Sequence, residues 1–145
     1  IMQIEEVKLV YRNKTKANDR PRIITPETAY KAFMQCWDMD QIELIEECKT
    51  MFLDRGMRLM SIASISKGGF SETVVDLRLV FALALKRRAN SIILAHNHPS
   101  GTLMPSQADI NLTKQFTQAG LIMRIPLEDH LIITPESYTS ILSTM

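Results

Sequence analysis

At 145 residues, with 46% apolar and 23% charged side chains, the chain has the make-up of one ordinary globular domain with a sizeable core and is too short for two comfortable ones. Its longest unbroken apolar run, LVFALAL at 79–85, falls far short of the ~20 residues of a spanning helix, so neither a membrane span nor a membrane partner is expected. Net charge is only +1 but unevenly spread, since residues 8–22 hold Lys8, Arg12, Lys14, Lys16, Arg20 and Arg22 against Asp19 alone.

The opening IMQIEEVKLVYRN lacks a basic region followed by a long apolar core, so no secretory signal is expected, and a start at Ile1 points to a trimmed chain. Two cysteines, Cys36 and Cys48, are too few for a disulfide framework and fit a reducing cytoplasm. EVKLVY at 6–11 reads as a short strand, and the charged, aperiodic segment 12–22 as a loop. That basic stretch has the charge to touch phosphates. With no aromatic interleaved beyond Tyr11, a solvated connector is the simpler reading.

Thr25 is placed to cap a first helix that opens on Pro26, with Ala29, Phe33 and Trp37, flanked by Ala32 and Cys36, on one apolar face. LIEECKTMFL at 44–53 suits a strand. Alternation puts Leu44, Glu46, Cys48, Thr50 and Phe52 on one side and Ile45, Glu47, Lys49, Met51 and Leu53 on the other. Glu46 then turns inward with Cys48 and Phe52, whereas Glu47 sits beside Lys49 as an ordinary solvated charge. Asp54-Arg55-Gly56 predicts a hairpin turn into a strand at about 58–66, closed by Lys67-Gly68-Gly69.

Asp76 is a cap for a helix whose Leu77, Val80, Phe81, Ala84 and Leu85 recur at helical spacing, ending in Lys86, Arg87 and Arg88 where the dipole favours cations. SIILAHNH reads as a buried strand. A helix is expected from Ser106 to about Ala119, with Gly120 just past its end. LIMRIPL and HLIIT read as a closing strand pair around Glu128-Asp129, followed by a terminal helix begun at Pro135. The mixture of hairpins and helical crossovers predicts an α/β fold, a sheet covered by helices.

The chemistry concentrates in AHNHPSGTLMPSQAD, residues 95–109. Positions i and i+2 of a strand point the same way, so His96 and His98 leave the apolar run on the face shared with Ile92 and Leu94. Pro99-Ser100-Gly101 turns the chain, and Asp109, in the first turn of the next helix, can return to the same point. Two imidazoles and a carboxylate leave a fourth tetrahedral position open, the arrangement of a catalytic zinc. Ser106 and Asp109 also match a helix capping box, which alone would account for both.

HNHPSGTLMPSQAD resembles the JAMM motif of the Jab/MPN metallopeptidase family, whose His-x-His, seven residues, Ser-x-x-Asp is met by His96, His98, Ser106 and Asp109. ILAHNHPSG, PSQADI and the later LEDHLII are more closely similar to its RadC-like branch, the type called DNA repair protein RadC, over roughly residues 25–145. Asn97 stands where many members outside that branch have Ser or Thr. The resemblance implies a single Jab/MPN-like (cytidine-deaminase-like) domain, with a mixed, largely antiparallel sheet flanked by helices, at 25–145 behind an N-terminal strand and basic loop at 1–24.

It further implies zinc on His96, His98 and Asp109, with Glu46 as general base, since EECKTMFLD occupies the place of the family's upstream glutamate. Glu47 is the fallback, because a one-residue register slip exchanges the faces. Ser106 is expected to donate to the oxyanion. Asp129 and His130 are candidates to orient a ligand, although a His130 satisfied by backbone is an equal reading. The implied reaction is hydrolysis of a peptide or isopeptide amide in an unknown peptide or protein substrate. The alternative is a DNA-associated accessory protein of repair or recombination, with or without hydrolase activity.

Overall fold

The computed structural model describes residues 1–68 and 74–145. The first helix, α1, spans Pro26–Cys36, and Thr25 caps it by accepting the Thr28 N–H at 3.2 Å. Such a cap contributes about 1 kcal/mol. Strands β1 (Glu47–Leu53) and β2 (Leu59–Lys67) form an antiparallel hairpin. Its turn is organised by Asp54, whose Oδ1 accepts the N–H groups of Gly56 and Arg58, each at 2.9 Å. Asp76 caps helix α2 (Leu77–Lys86) by accepting the Arg78 N–H at 2.9 Å.

Strand β3 (Ser91–Asn97) pairs antiparallel with β1. Helix α3 (Gln107–Met123) then crosses over, and β4 (Leu127–Ile133) returns parallel to β3. A parallel neighbour requires such a helical crossover. Strand β5 (Tyr138–Ser140) and a short helix α4 (Ile141–Thr144) close the chain. The sheet order is β2-β1-β3-β4-β5, mixed and largely antiparallel, as expected. Among the described residues no helix is long and apolar enough to cross a membrane.

All seven residues of the central strand β3 are buried, which explains why SIILAHN is apolar without alternation. One face of the sheet packs Cys48, Phe52, Ile92 and Leu94 against Val80, Phe81 and Ala84 of α2 and Phe116 of α3. The other packs Met51, Leu53, Ile93 and Ala95 against Ala29 and Phe33 of α1. Each such side chain contributes roughly 1.5–3 kcal/mol by leaving water.

Several expectations are corrected. Residues 6–11 form no strand: the segment is exposed and joins no ladder, because strand propensity takes effect only beside a paired edge. The Tyr11 hydroxyl meets Met60 Sδ at 3.8 Å, and just beyond the segment Asn13 Oδ1 accepts from Arg87 at 3.0 Å. The loop at 12–22 contains a 3-10 turn at Ala17–Asp19, and Arg22 forms a bridge with Arg58. Cys36 and Leu85 are exposed rather than buried. Gly69, expected to close the hairpin, lies outside the described residues.

Helix α3 does not stop before Gly120. It continues to Met123 and ends at Arg124, which takes the left-handed conformation at φ 57°. Gly120 is required inside the helix instead, because a Cβ there would lie 2.7 Å from the carbonyl oxygen of Ile125. Consequently Leu121, Ile122 and Met123 belong to a helix, and Glu128 and Asp129 lie within β4 rather than at a turn. No helix begins at Pro135. Thr134 Oγ1 accepts the Ser137 N–H at 3.1 Å, and that turn leads into β5.

Candidate metal centre

The centre is built where β3 ends. His96 is the penultimate residue of the strand and His98 follows it, so both imidazoles emerge on the face that carries Ile92 and Leu94. The chain then turns sharply: Gly101 N–H donates to the His98 carbonyl at 2.9 Å, and its φ of +86° is a conformation natural to glycine. Ser106 Oγ accepts the Asp109 N–H at 3.1 Å while Asp109 Oδ2 accepts the Ser106 N–H at 2.8 Å. The capping box therefore exists, and it aims the carboxylate rather than competing with the site.

His96 Nε2 and His98 Nε2 lie 2.9 Å apart. Asp109 places Oδ1 3.1 Å from His96 Nε2 and Oδ2 3.2 Å from His98 Nε2. Ligand atoms at about 2.0–2.1 Å from a tetrahedral zinc stand about 3.3 Å from one another, so these separations fit a shared cation. Glu46 stands one step further out, with Oε1 4.0 Å from His98 Nε2. Glu46, His96 and His98 nevertheless present ligand atoms all within 4.8 Å of one another. Asp109 thus lies closer to His98 than Glu46 does.

His98 Nδ1 is 2.9 Å from the Thr102 carbonyl, which can only accept, so Nδ1 carries a proton and, when the ring is neutral, Nε2 presents a lone pair to the centre. Burial works against the charge on Asp109, but the adjacent His96 and His98 imidazoles and the Ser106 N–H outweigh it and hold the carboxyl well below its usual range. Burial likewise opposes charge on His98, yet the hydrogen bonds to Asp109 and Thr102 and the charges of Asp109 and Glu46 raise its pKa. Burial and the adjacent Glu46 and Glu47 push the Cys48 thiol up to about 12. A cavity of about 330 Å³ opens beside the centre, lined by Glu46, Cys48, Val75, His96, Asp109 and Leu112 among others.

Other expected residues sort differently. Glu47 is not a solvated charge: it is buried, accepts from the Ser64 hydroxyl and pairs at 3.3 Å with Lys49, whose ammonium lies 5.4 Å from the Trp37 ring centre. Asp129 is paired in register with Ile93, which packs on the α1 face, so it is not brought to the centre. Its partners are the His130 N–H at 2.8 Å and the Ser140 hydroxyl at 2.7 Å, and burial raises its pKa. His130, paired in register with Leu94, faces the centre. It is satisfied by side chains rather than backbone, with Nε2 2.8 Å from His96 Nδ1 and Nδ1 2.7 Å from Thr113 Oγ1. Burial and then the charge of His96 lower its pKa well below the ordinary histidine value.

The sequence marks Asn97 only as a departure from the wider family pattern and does not single out Thr113. Asn97 is fully buried and clamps the segment that carries Glu46: its Nδ2 donates to the carbonyls of Ile42 at 2.7 Å and Ile45 at 2.8 Å, and its Oδ1 accepts the Glu47 N–H at 2.7 Å. Thr113, four residues after Asp109 on α3, is fully buried against His130. An i, i+4 relation to a ligand on the same helix face was the available signal for Thr113.

Residues 23–144 match the RadC-like JAB domain family. Similar curated proteins, each named UPF0758 protein, include one from Flavobacterium johnsoniae, 50% identical over 95 residues, which cover 66% of this chain and 42% of that protein. One from Thermosynechococcus vestitus is 46% identical over 96 residues, covering 66% of this chain and 38% of its own length. One from Finegoldia magna is 39% identical over 119 residues, covering 82% and 52% respectively. The chain thus spans about half or less of the length of these relatives.

Proposed function

The chain belongs to the RadC-like JAB domain family, and on that premise we propose that it is a zinc-dependent metallohydrolase of JAMM type acting on a peptide or isopeptide amide. The observation that carries this reading is the convergence of His96, His98 and Asp109 within 2.9–3.2 Å, with Glu46 4.0 Å from His98. The three would hold the ion, which supplies a water whose pKa falls from 15.7 toward ~7. Glu46 would be placed to take a proton from the attacking water and to return it to the leaving amide nitrogen. The Asn97 clamp holds Glu46 in register for both transfers. Ser106 donates to the developing oxyanion, an interaction commonly worth ~3 kcal/mol. The free Cys36 and Cys48 support a cytoplasmic setting.

The test is chelator-sensitive cleavage of peptide and isopeptide substrates by the zinc-loaded protein, measured beside Glu46→Gln. The reading expects the variant to keep its metal and lose cleavage. Undiminished cleavage by Glu46→Gln would contradict it, as would a zinc-loaded protein that cuts no amide.

A second reading, recruitment to nucleic acid, is favoured by a basic concavity at the opposite end of the sheet. Arg20, Arg55, Arg58 and Arg88 line it together with Asn13 and Asn90, against the single carboxylate of Asp54. Arg20 is already bound to Asp54 at 3.0 Å and to Thr15, so Arg55 and Arg88 are the groups offered to phosphates. Salt-sensitive binding of a DNA duplex that weakens in Arg55→Gln/Arg88→Gln would support this reading. Binding indifferent to salt and to both substitutions would remove it.

A further inference from the structure

Beyond His98, whose ligating nitrogen is selected by a backbone carbonyl, His96 has no carbonyl on Nδ1. Its partner there is another imidazole, which can donate or accept. The direction of that bond decides whether His96 Nε2 carries a proton or a lone pair, and therefore whether His96 can hold a cation at all.

The surroundings of His130 settle the direction. Thr113 Oγ1 donates its one proton to the Asp109 carbonyl at 2.8 Å. The same oxygen lies 2.7 Å from His130 Nδ1, so with its proton spent it can only accept there, and His130 Nδ1 must donate. In a neutral His130 the other nitrogen, Nε2, is then an acceptor, and it lies 2.8 Å from His96 Nδ1. His96 Nδ1 is the donor to it. His96 Nε2 is left bare, 2.9 Å from His98 Nε2 and 3.1 Å from Asp109 Oδ1. The reverse direction would need the Thr113 proton for His130, would lose the bond to Asp109, and would put a proton on His96 Nε2 in the middle of the centre.

We propose that Thr113 and His130 form a buried, one-directional hydrogen-bond chain that runs from His96 back to the backbone of Asp109 and fixes His96 in the Nδ1–H tautomer, making both positioning residues for the metal site. The proposal rests on the metallohydrolase reading for the identity of the site, and adds to it residues that touch neither metal nor substrate. The chain also ties three elements together: His96 comes from β3, His130 from β4, and Thr113 and Asp109 from successive turns of α3. His130 and Thr113 are fully buried, so no water competes for these bonds. The His96 and His130 ring centroids lie 4.8 Å apart, a separation compatible with a direct N–H···N bond.

The test pairs zinc affinity, measured by competition with a chromophoric chelator, with nitrogen-15 NMR of the imidazoles in the zinc-loaded protein. His130 is expected to show a protonated Nδ1 and a bare Nε2. Thr113→Val and His130→Leu are expected to weaken zinc binding by about 10–100-fold, while Thr113→Ser, which keeps the hydroxyl, restores it. A protonated Nε2 on His130, or zinc affinity unchanged in Thr113→Val, overturns the chain while leaving the metal site standing. Failure of the wild-type protein to take up zinc overturns the metallohydrolase reading and this inference with it. Should His130→Leu fail to fold, the Thr113→Val and Thr113→Ser pair decides.

Discussion

The two ends of β3 use charge in opposite ways. At its carboxyl end, His96, His98, His130, Asp109 and Glu46 are crowded into a largely dry volume where each group sets the protonation of the next. At its amino end, roughly 20 Å away along a seven-residue strand, four arginines surround one carboxylate in an open concavity. Burial couples the groups at the first end, since hydrogen bonds and charges act strongly on one another in low dielectric. At the second, Arg20 and Asp54 form a largely buried pair, while Arg55 and Arg88 line the open concavity, where salt weakens single charges.

The comparison breaks most visibly at the buried end. Glu46→Gln should lower amide cleavage by about 10²–10⁴-fold, the usual contribution of a general base, without loss of metal. Between the ends, Phe116 is fully buried and stacks on Phe81 with centroids 5.8 Å apart, so Phe116→Ala should cost about 3–5 kcal/mol in urea unfolding. That loss should reach both ends equally. At the open end, Asp54→Asn removes the carboxylate that Arg20, Arg58 and two backbone N–H groups share, at about 1–3 kcal/mol.

The pH dependence has a definite sign there. Burial opposes the charge on Asp54, but the N–H of Arg58, the Arg20 guanidinium and the N–H of Gly56 outweigh it and lower the pKa. A carboxyl lowered by folding contributes stability above its unfolded value of about 3.9, and that stability is lost as pH falls through the folded value. Unfolding midpoints of the wild type should therefore drop below about pH 4, with a shallower drop in Asp54→Asn. The smallest effect is on the salt slope of DNA binding: Arg55→Gln and Arg88→Gln should each reduce it by about one. Equal slopes would show that the open end engages no phosphate.

The carboxyl end was the more legible in sequence, because its geometry is local. His96 and His98 share a face by strand alternation, Ser106 and Asp109 share a helix turn, and Glu46 follows from the alternation of β1. What could not be read depends on neighbours distant in the chain. Glu47 looked solvated because Ser64 of β2, which donates to it, and Trp37, on which its partner Lys49 packs, come from other parts of the chain. Gly120 resembled a helix stop, whereas a close approach by Ile125 is what requires it. Leu121, Ile122 and Met123 looked like strand because the final turn of α3 is apolar though exposed. The role of Asn97 rests on bonds to residues 42–47, which no spacing rule connects, and the i, i+4 spacing of Thr113 from Asp109 says nothing of its bond to His130.

Metal content per chain, measured on purified wild-type, Asp109→Ala and Glu46→Gln proteins, tests the central claim most directly. The account predicts about one zinc per chain in the wild type and in Glu46→Gln, and none in Asp109→Ala. A folded wild-type protein without metal, or retention in Asp109→Ala with loss in Glu46→Gln, would contradict it.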